Sequence, residues 1–535
     1  MNKNAIRLLA FATVLAIFTF HDGARAQPGG AEAKPVAADS RYFAVQLVDD
    51  TTGRGVPLVE LKTTNSVAFY TDSNGVVALD EPGFMNRKVF FHVASHGYEY
   101  PADGFGQRGV ALDVAPGKRE TIKIKRLNIA ERLYRVTGEG IYRDSLLAGG
   151  FPVPIREPLL NAQVTGQDSI QAAIYHGRIY WMWGDTNRLR YPLGHFWMSG
   201  ATSDLPGRGG LDPAKGVDLK YFADDEGFAR GMFEPVHRQL KWADAMMVLP
   251  DDKGVERMLA MCTRLEKLDV VLDRTLEVYN DKAERFEPIR TINEKDEPLY
   301  PRNHPLRVTV DGVEYFYFCD PLPGIRVRAD WKSVQDPKAY EGYTCLRQGA
   351  RFKGDSTELE RDAQGQLHWA WKRNTAVLTH KEEAQLLRVG KLKEGEARSR
   401  LVDAETGKPV RVQGGSVYFN DYRRKYVLIA GELGGNSSNL GEIWYAEADR
   451  PEGPWKYARK IVTHDRYSFY NPKHHPFFDQ DGGRVIYFEG TYATTFSRPD
   501  REATPRYDYN QVMYRLDLSD PRLKLPEAPD APVTP

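Results

Sequence analysis

The sequence predicts an all-β protein in which a small N-terminal β-sandwich precedes a five-bladed β-propeller. The composition favours a β-rich chain with many turns, since it contains 47 glycines, 33 prolines and 11% aromatic residues. Short alternating strands fill residues 41–125, and a hairpin unit then recurs five times up to residue 489. Repeated small antiparallel sheets are typical of a propeller.

The N-terminus is predicted to be a signal peptide over residues 1–26. Lys3 and Arg7 precede an apolar run from Leu8 to Phe20, and Ala24 and Ala26 provide a cleavage site. The alternative is an uncleaved anchor, but the run is shorter than the about 20 residues that span a bilayer as a helix. We therefore expect an exported protein, periplasmic or extracellular, with a flexible leader at 27–40.

Residues 41–125 are predicted to form the β-sandwich. Alternating strands at 42–48, 56–61 and 69–77 are separated by turn sequences at 49–53 and 72–75. Residues 126–160 are predicted to connect this domain to the propeller.

The propeller is predicted over residues 161–520. Each copy of its repeat has an apolar strand, a tight polar turn and an aromatic-rich second strand that ends on an acidic or polar residue. The copies lie at 168–185, 242–264, 303–320, 414–432 and 471–489. The spacing is uneven, so a β-sandwich or β-helix enzyme is the rival fold. A charged, partly helical insertion is predicted near 351–413 and a proline-rich tail at 521–535.

Charge and cysteine content exclude several classes of protein. The 73 basic and 73 acidic residues balance to a net charge of zero, which gives no electrostatic footprint for nucleic acid. A mean hydropathy of −0.53 excludes a multi-span membrane protein, and we expect no transmembrane segment after signal removal. The three cysteines allow at most one disulfide and show no zinc-binding spacing. We expect a monomer.

Hairpin geometry predicts a ring of polar residues at one face of the propeller channel. The start of the first strand and the end of the second lie at the same edge of each hairpin, opposite its turn. The ring is predicted to contain Asp168, Asp185, Asp244, Arg264, Arg302, His304, Asp320, Gln413, Glu432, Asn471, Lys473, His474, His475 and Glu489.

A carboxylate-rich ring with aromatic neighbours suits the cleavage of glycosidic bonds. One carboxyl must be protonated to donate to the leaving oxygen, while another acts as nucleophile or base. A crowded, buried ring can raise the pKa of one member. The remaining polar groups would bond sugar hydroxyls, and flat rings would pack on the sugars; the substrate-binding candidates are Arg264, Arg302, His304, Asn471, Lys473, His474, His475, Trp183, Trp242 and Tyr470.

Two segments of the chain resemble known families. The sandwich region resembles the transthyretin-type, carboxypeptidase-regulatory-like sandwich of secreted hydrolases through DDTTGRGVPLVEL, TDSNGVVAL and ASHGYEY, which implies an accessory module without catalysis. The first repeat, VTGQDSIQAAIYHGRIYWMWGDTNR, resembles a bacterial family formerly of unknown function that includes endo-D-arabinanases built as five-bladed propellers. More loosely, EADRPEGPWKYARKIV and YNPKHHPFFDQDGGRVIYFEGTY are similar to later blades of secreted arabinanase- and xylosidase-type propellers.

The resemblance implies a catalytic pair. The family's paired acids map onto Asp168 and Asp185. No third acid stands at a recognisable family position, and both Glu432 and Glu489 are candidates for that role. Asp244 and Asp320 complete the supporting acids.

The function predicted from these residues is hydrolysis of a polysaccharide, such as the furanoside arabinan. The alternatives are a glycan-binding or scaffold propeller without catalysis and a polysaccharide lyase. We expect no cofactor and no catalytic metal; a structural calcium ion in the channel is left as an open alternative.

Overall fold

The computed structural model describes residues 41–235, 239–268, 270–435 and 437–526, all of which belong to one compact unit. The predicted signal peptide, the leader and most of the proline-rich tail lie outside the described residues. Strands make up 46% of the chain and helices 8%, so the all-β prediction is confirmed. No helix among the described residues is long and apolar enough to cross a membrane.

The N-terminal region has eight strands in two sheets. The strands are β1 (Phe43–Asp49), β2 (Glu60–Thr63), β3 (Ala68–Tyr70), β4 (Val76–Leu79), β5 (Arg87–Ala94), β6 (Tyr98–Glu99), β7 (Gly109–Val114) and β8 (Arg119–Arg126). The sheets β4-β1-β8-β6 and β3-β2-β5-β7 share one apolar core that includes Phe43, Val59, Phe91 and Ile122. Alternating apolar residues of the two sheets face this core, which is the packing that a sandwich requires.

The predicted connector contributes structure of its own. It contains β9 (Glu131–Arg135) and a short helix, α1 (Arg143–Ala148). The strand β9 is fully buried and belongs to the last sheet of the chain, so the region after residue 126 does more than link two domains.

The rest of the chain forms successive antiparallel sheets. Its elements are β10 (Val164–Gln167), β11 (Gln171–Tyr175), β12 (Arg178–Trp183), β13 (Thr186–Arg188), β14 (Tyr191–His195), β15 (Ser199–Asp204), β16 (Lys220–Tyr221), β17 (Leu240–Pro250), β18 (Glu256–Lys267), β19 (Val270–Asn280), β20 (Arg285–Thr291), β21 (His304–Val310), β22 (Val313–Cys319), β23 (Pro323–Arg328), β24 (Glu341–Thr344), β25 (Ala370–Arg373), α2 (His380–Arg388), β26 (Leu401–Asp403), β27 (Pro409–Val410), β28 (Val412–Asn420), β29 (Lys425–Glu432), β30 (Ile443–Ala448), β31 (Tyr457–Val462), β32 (Ser468–His474), β33 (Val485–Ala493) and β34 (Asn510–Asp517).

Five of these sheets follow one another around a ring. Their strand orders are β11-β12-β15-β16, β17-β18-β19-β20, β21-β22-β23-β24-β25, β28-β29-β30-β31-β26-β27 and β32-β33-β34-β9. The first strand of each sheet contacts the first strand of the next, from β11 to β32. Asn471 of β32 donates to the Ser169 hydroxyl just before β11, at 2.7 Å, which joins the last sheet to the first. A five-bladed propeller would produce this succession of sheets. The number of blades stays a prediction.

The predicted insertion near 351–413 contains α2, but it also contributes β25 to the third sheet and β26 and β27 to the fourth. Thr379 caps this helix, because its hydroxyl accepts the N–H of Glu382 while the Glu382 carboxylate accepts the N–H of Thr379 at 2.7 Å. Cys262, Cys319 and Cys345 are buried free thiols.

Candidate functional site

A cavity of about 510 Å³ opens where the first strands of the five sheets begin. All five sheets contribute to its wall, and four of its lining residues are Asp168, Asp244, Asn303 and Asn471. The cavity therefore lies at the edge that hairpin geometry predicted for the polar ring.

The backbone has the same unusual conformation in or just before each first strand, beside the cavity. A residue with positive φ stands there in every sheet: Ser169 at 55°, Ala245 at 52°, Asn303 at 49°, Gly414 at 60° and Asn471 at 50°. A non-glycine residue in this region costs of order 1–3 kcal/mol and persists only where its surroundings hold it. In β17, β28 and β32 the strand register also shifts close to this residue, as it does at a β-bulge.

This conformation positions the side chains that precede it. The preceding residues Asp168, Asp244, Gln413 and Tyr470 all line the cavity. A bulge turns a side chain away from the alternation of a regular strand, so the repeated bend directs one polar group from each of these four sheets into the same space.

Asp168 is held by donors on several sides. Its Oδ1 accepts the backbone N–H of Asp185 at 3.0 Å, and its Oδ2 accepts the Tyr470 hydroxyl at 2.9 Å. Tyr509 and Ser169 also hydrogen bond to this carboxylate. Burial raises the pKa of Asp168 above its usual value, while all these donors oppose that shift because they favour the ionised form.

Gly184 allows Asp168 and Asp185 to approach each other. A Cβ atom at this position would lie 2.2 Å from Asp168 Oδ1, so only glycine fits between them without movement. The glycine of the aromatic-Gly-Asp-Thr motif therefore has a steric role in the pair.

Asp185 has far fewer donors than Asp168. Its Oδ1 accepts the Trp242 indole N–H at 2.8 Å. Burial and the nearby negative charge of Asp168 raise the pKa of Asp185 to about 7, against the opposing effect of the Trp242 bond. The two carboxyls thus differ in their partners, which is the arrangement that separates an acid from a base.

Asp244 is a third carboxyl in the cavity wall. Burial raises its pKa to about 7, although the backbone N–H of Asn303 and the charges of Arg274 and Arg302 favour the ionised form. Of the four supporting acids that the sequence indicated, Asp244 alone lines this cavity.

The other three supporting acids point elsewhere. Asp320 is more than half exposed and pairs with Arg302 at 3.6 Å, outside the lining. Glu432 lies outside the cavity lining and accepts the Trp444 indole N–H at 2.8 Å. Glu489 lies inside β33, which continues four residues beyond the predicted strand end, and its side chain is fully buried.

Four of the predicted substrate-binding residues line the cavity: His304, Asn471, Trp242 and Tyr470. Phe496 adds a further ring, with its centroid 5.0 Å from that of Tyr470.

The remaining predicted substrate-binding residues are engaged elsewhere in the protein. Arg264 forms an ion pair with Asp273, and Arg302 lies 4.4 Å over the ring of Tyr300. Trp183 is fully buried and stacks in parallel on Trp181.

Lys473, His474 and His475 lie in the protein interior, beneath the cavity lining. His474 pairs with Asp479 at 2.7 Å, and His475 with Glu489 at 3.0 Å. The sequence predicts these three residues at the start of a strand and therefore at the cavity. The strand β32 already begins at Ser468, so they lie further along the chain, away from the cavity edge.

A buried cluster of titratable groups lies beneath the cavity. Lys473 donates to the Tyr418 hydroxyl at 2.9 Å, and its Nζ lies 3.5 Å from Nδ1 of His304. Burial lowers the pKa of Lys473 to about 7 and raises that of Glu489 to about 8. The pKa of His304 is lowered by burial and by the charge of Lys473.

This cluster does not fit a structural calcium ion. Calcium prefers six to eight oxygen ligands, whereas the cluster presents an ammonium group and imidazole rings. Across the described ranges, no group of three or more His, Cys, Asp or Glu side chains is arranged to hold a metal ion.

Sequence reasoning missed Tyr509 and Phe496. Tyr509 precedes the third strand of its sheet, and the hairpin argument considered only the first two strands. The sequence feature that could have identified Tyr509 is the aromatic and acidic run from residue 507 to 509. This run resembles many other tyrosine-rich stretches of the chain, so it does not stand out.

No family model and no curated protein matches this chain. Among solved structures, it is similar to a putative hydrolase from Bacteroides ovatus (TM-score 0.39, 14% identity, 66% of this chain and 86% of the other). It is also similar to an exo-1,5-α-L-arabinanase from a bovine ruminal metagenomic library (TM-score 0.32, 11% identity, 66% and 94%). A third similar structure is a GH43 β-xylosidase/α-arabinofuranosidase from a compost metagenome, in complex with xylotriose (TM-score 0.29, 14% identity, 61% and 86%). Each of these TM-scores lies below 0.5.

Proposed function

We propose that this protein is an exported enzyme that hydrolyses glycosidic bonds of a polysaccharide at the cavity formed by the five sheets. One observation carries the proposal: the Asp168 carboxylate accepts the backbone N–H of Asp185 in a cavity lined by aromatic rings, and the pKa of Asp185 is raised to about 7.

The two carboxyls divide the chemistry between them. Asp185 is the general acid, since a carboxyl with a pKa near 7 is about half protonated at neutral pH and can give its proton to the leaving glycosidic oxygen. Asp168, surrounded by donors, is ionised and acts as nucleophile on the anomeric carbon or as base toward a water. Either route adds one water across the bond and releases one new reducing end.

The cavity wall supplies the groups that would hold the sugars. Trp242, Tyr470 and Phe496 offer ring faces for the apolar faces of the sugars, while His304 and Asn471 offer polar atoms for the hydroxyls. Asp244, whose pKa is about 7, is a further hydroxyl partner beside the pair.

The first experiment measures reducing ends released from arabinan, xylan, galactan and sulfated polysaccharides. We expect wild-type protein to cleave at least one of them and Asp185→Asn to lose at least about 10²-fold in rate, the contribution of a general acid. The matched control is Asp252→Asn, an exposed carboxylate in the turn after β17.

The outcome also distinguishes the two alternatives. Equal rates for wild type and Asp185→Asn on every active substrate contradict the assignment. Binding without cleavage by either protein indicates a glycan-binding propeller, and cleavage that raises ultraviolet absorbance through a new double bond indicates a lyase.

We further propose that the five sheets are propeller blades and that the N-terminal sheets form an accessory sandwich. Contacts between the two regions support this arrangement: the His96 imidazole lies 2.9 Å from the Tyr492 hydroxyl, and Arg132 Nε donates to the Pro57 carbonyl at 3.0 Å. Export through the segment 1–26 and a monomeric state stay predictions.

A further inference from the structure

A second groove, of about 420 Å³, lies at the outer edge of the third sheet. It shares no lining residue with the cavity that contains Asp168 and Asp185. Its walls come from β24, from the turn at 364–366, from the loop at 393–398 of the insertion and from the loop at 450–454 after β30. Most of these residues lie outside the five repeated hairpins, so they are not needed to close the ring of sheets.

A row of aromatic rings, two of them stacked, ends in this groove. Trp369 and Tyr343 stack with centroids 5.6 Å apart and planes 22° apart, and both line the groove. Trp371 continues the row behind Tyr343, at 5.3 Å. Trp369 is half-buried, so its ring is held by its neighbours and also reaches the groove.

An arginine fixes the row from the other side. The Arg398 guanidinium lies 5.7 Å from the ring centre of Tyr343 and donates to the backbone carbonyl of Glu452 at 3.2 Å. A ring surface held in this way loses little conformational freedom when a ligand packs on it.

The polar groups around the rings suit an uncharged ligand. Gln364 and Gln366 are exposed and bring amide donors and acceptors to the groove. Among the charged residues of the wall, Glu396 pairs with Arg361 at 2.6 Å, Glu452 pairs with Arg450 at 3.9 Å and Arg398 lies over the Tyr343 ring, while Lys393 is exposed. A planar aromatic surface flanked by amides is the surface that a neutral sugar chain recognises through its apolar ring faces and its hydroxyls.

We propose that this groove binds a second stretch of the neutral polysaccharide that the enzyme cleaves. The inference rests on the proposed function, because it identifies the ligand of the groove with the substrate. A polymer long enough to reach both places gains affinity through two linked contacts, whereas a short oligosaccharide reaches one at a time.

The experiment is affinity electrophoresis in gels cast with arabinan, xylan or galactan. All variants carry Asp185→Asn, so that the polymer stays intact during the run. We expect Trp369→Ala to bind the retarding polymer about tenfold more weakly than its parent, which corresponds to the loss of one buried aromatic contact. Tyr422→Ala is the matched control, because Tyr422 is 44% exposed and lines neither site.

Further variants separate loss of the groove from loss of the fold. Trp369→Phe keeps a ring and should retain most of the binding, and thermal unfolding should be alike for Trp369→Ala and Trp369→Phe. With Asp185 intact, Trp369→Ala should change kcat/KM on a short soluble oligosaccharide by less than about twofold.

Two results overturn the inference in distinguishable ways. If Trp369→Ala and Tyr422→Ala are retarded as strongly as their parent, the groove is not a polysaccharide site and the proposed function stands. If no polymer retards the parent and none is cleaved by wild type, the groove assignment and the proposed function fall together.

Discussion

Two pairs of titratable residues in this protein differ in what surrounds them. Asp185 lies beside Asp168 in the cavity wall, and Glu489 lies beside His475 in the interior beneath it. Burial raises the pKa of Asp185 to about 7 and that of Glu489 to about 8. The like-charged neighbour and the open cavity belong only to the first pair, so a raised pKa does not by itself identify a catalytic carboxyl.

The chemistry of the second pair is that of a packed interior. At neutral pH a Glu489 carboxyl with a pKa of about 8 is mostly protonated, and its Oε1 lies within hydrogen-bond distance, 3.0 Å, of Nε2 of His475. The pair is fully buried, so a substrate would have to displace packed side chains to reach it.

The largest expected effect separates the two pairs directly. Asp168→Asn should lower the rate of polysaccharide cleavage by about 10³-fold or more, because it removes the nucleophile or base. Glu489→Gln should stay within about threefold of wild type, since glutamine replaces a protonated carboxyl of similar shape. Initial rates at pH 7 measure both, and an equal loss in the two variants would mean that the interior pair takes part in the reaction.

A smaller effect is expected when the geometry of the first pair is disturbed. Gly184→Ala would bring a Cβ to within 2.2 Å of Asp168 Oδ1, and we expect about a 10²-fold loss of kcat from misplacement of the carboxylate. Gly104→Ala is the control, because its Cβ would meet no atom within 4 Å. Full activity of Gly184→Ala, with an unchanged melting temperature, would show that the close approach of the two acids is unnecessary.

The smallest expected effect is a shift of the pH profile. The rate should fall as pH rises through about 7, because Asp185 must be protonated to act as acid. The Trp242 indole N–H favours ionised Asp185, so Trp242→Phe should raise its pKa and move the alkaline limb upward by up to about one pH unit. Trp369→Phe, outside the cavity, should leave the limb in place. A limb that moves downward in Trp242→Phe would refute Asp185 as the acid.

The sequence predicted the β content, the recurring hairpins and the edge at which the cavity opens. These depend on local alternation and turn chemistry, which a single sequence displays. The pair Asp168 and Asp185 followed from hairpin geometry together with a family resemblance, and it lies in the cavity wall.

The misplaced residues share a physical cause. The sequence predicts strand ends that lie a few residues from those in the structure. Because side chains on a strand alternate between its two faces, such a small error moves a residue from the cavity to the interior. Lys473 of β32 and Glu489 of β33 are the examples, and they are paired with each other across these two strands. The left-handed residues that follow Asp168 and Asp244 are Ser169 and Ala245, which have no sequence signature for this conformation, whereas glycine and asparagine at the equivalent positions do favour it.

The pairing of β9 with β34 determines when the ring can be completed. Arg515 of β34 forms an ion pair with Glu131 of β9, a residue 384 positions earlier in the chain. Closing such a long loop costs conformational entropy, and the strand contacts compensate for this cost only when both strands are present. During synthesis, β9 must therefore wait for nearly the whole chain, and a chain truncated before residue 510 leaves that edge of the sheet without its partner.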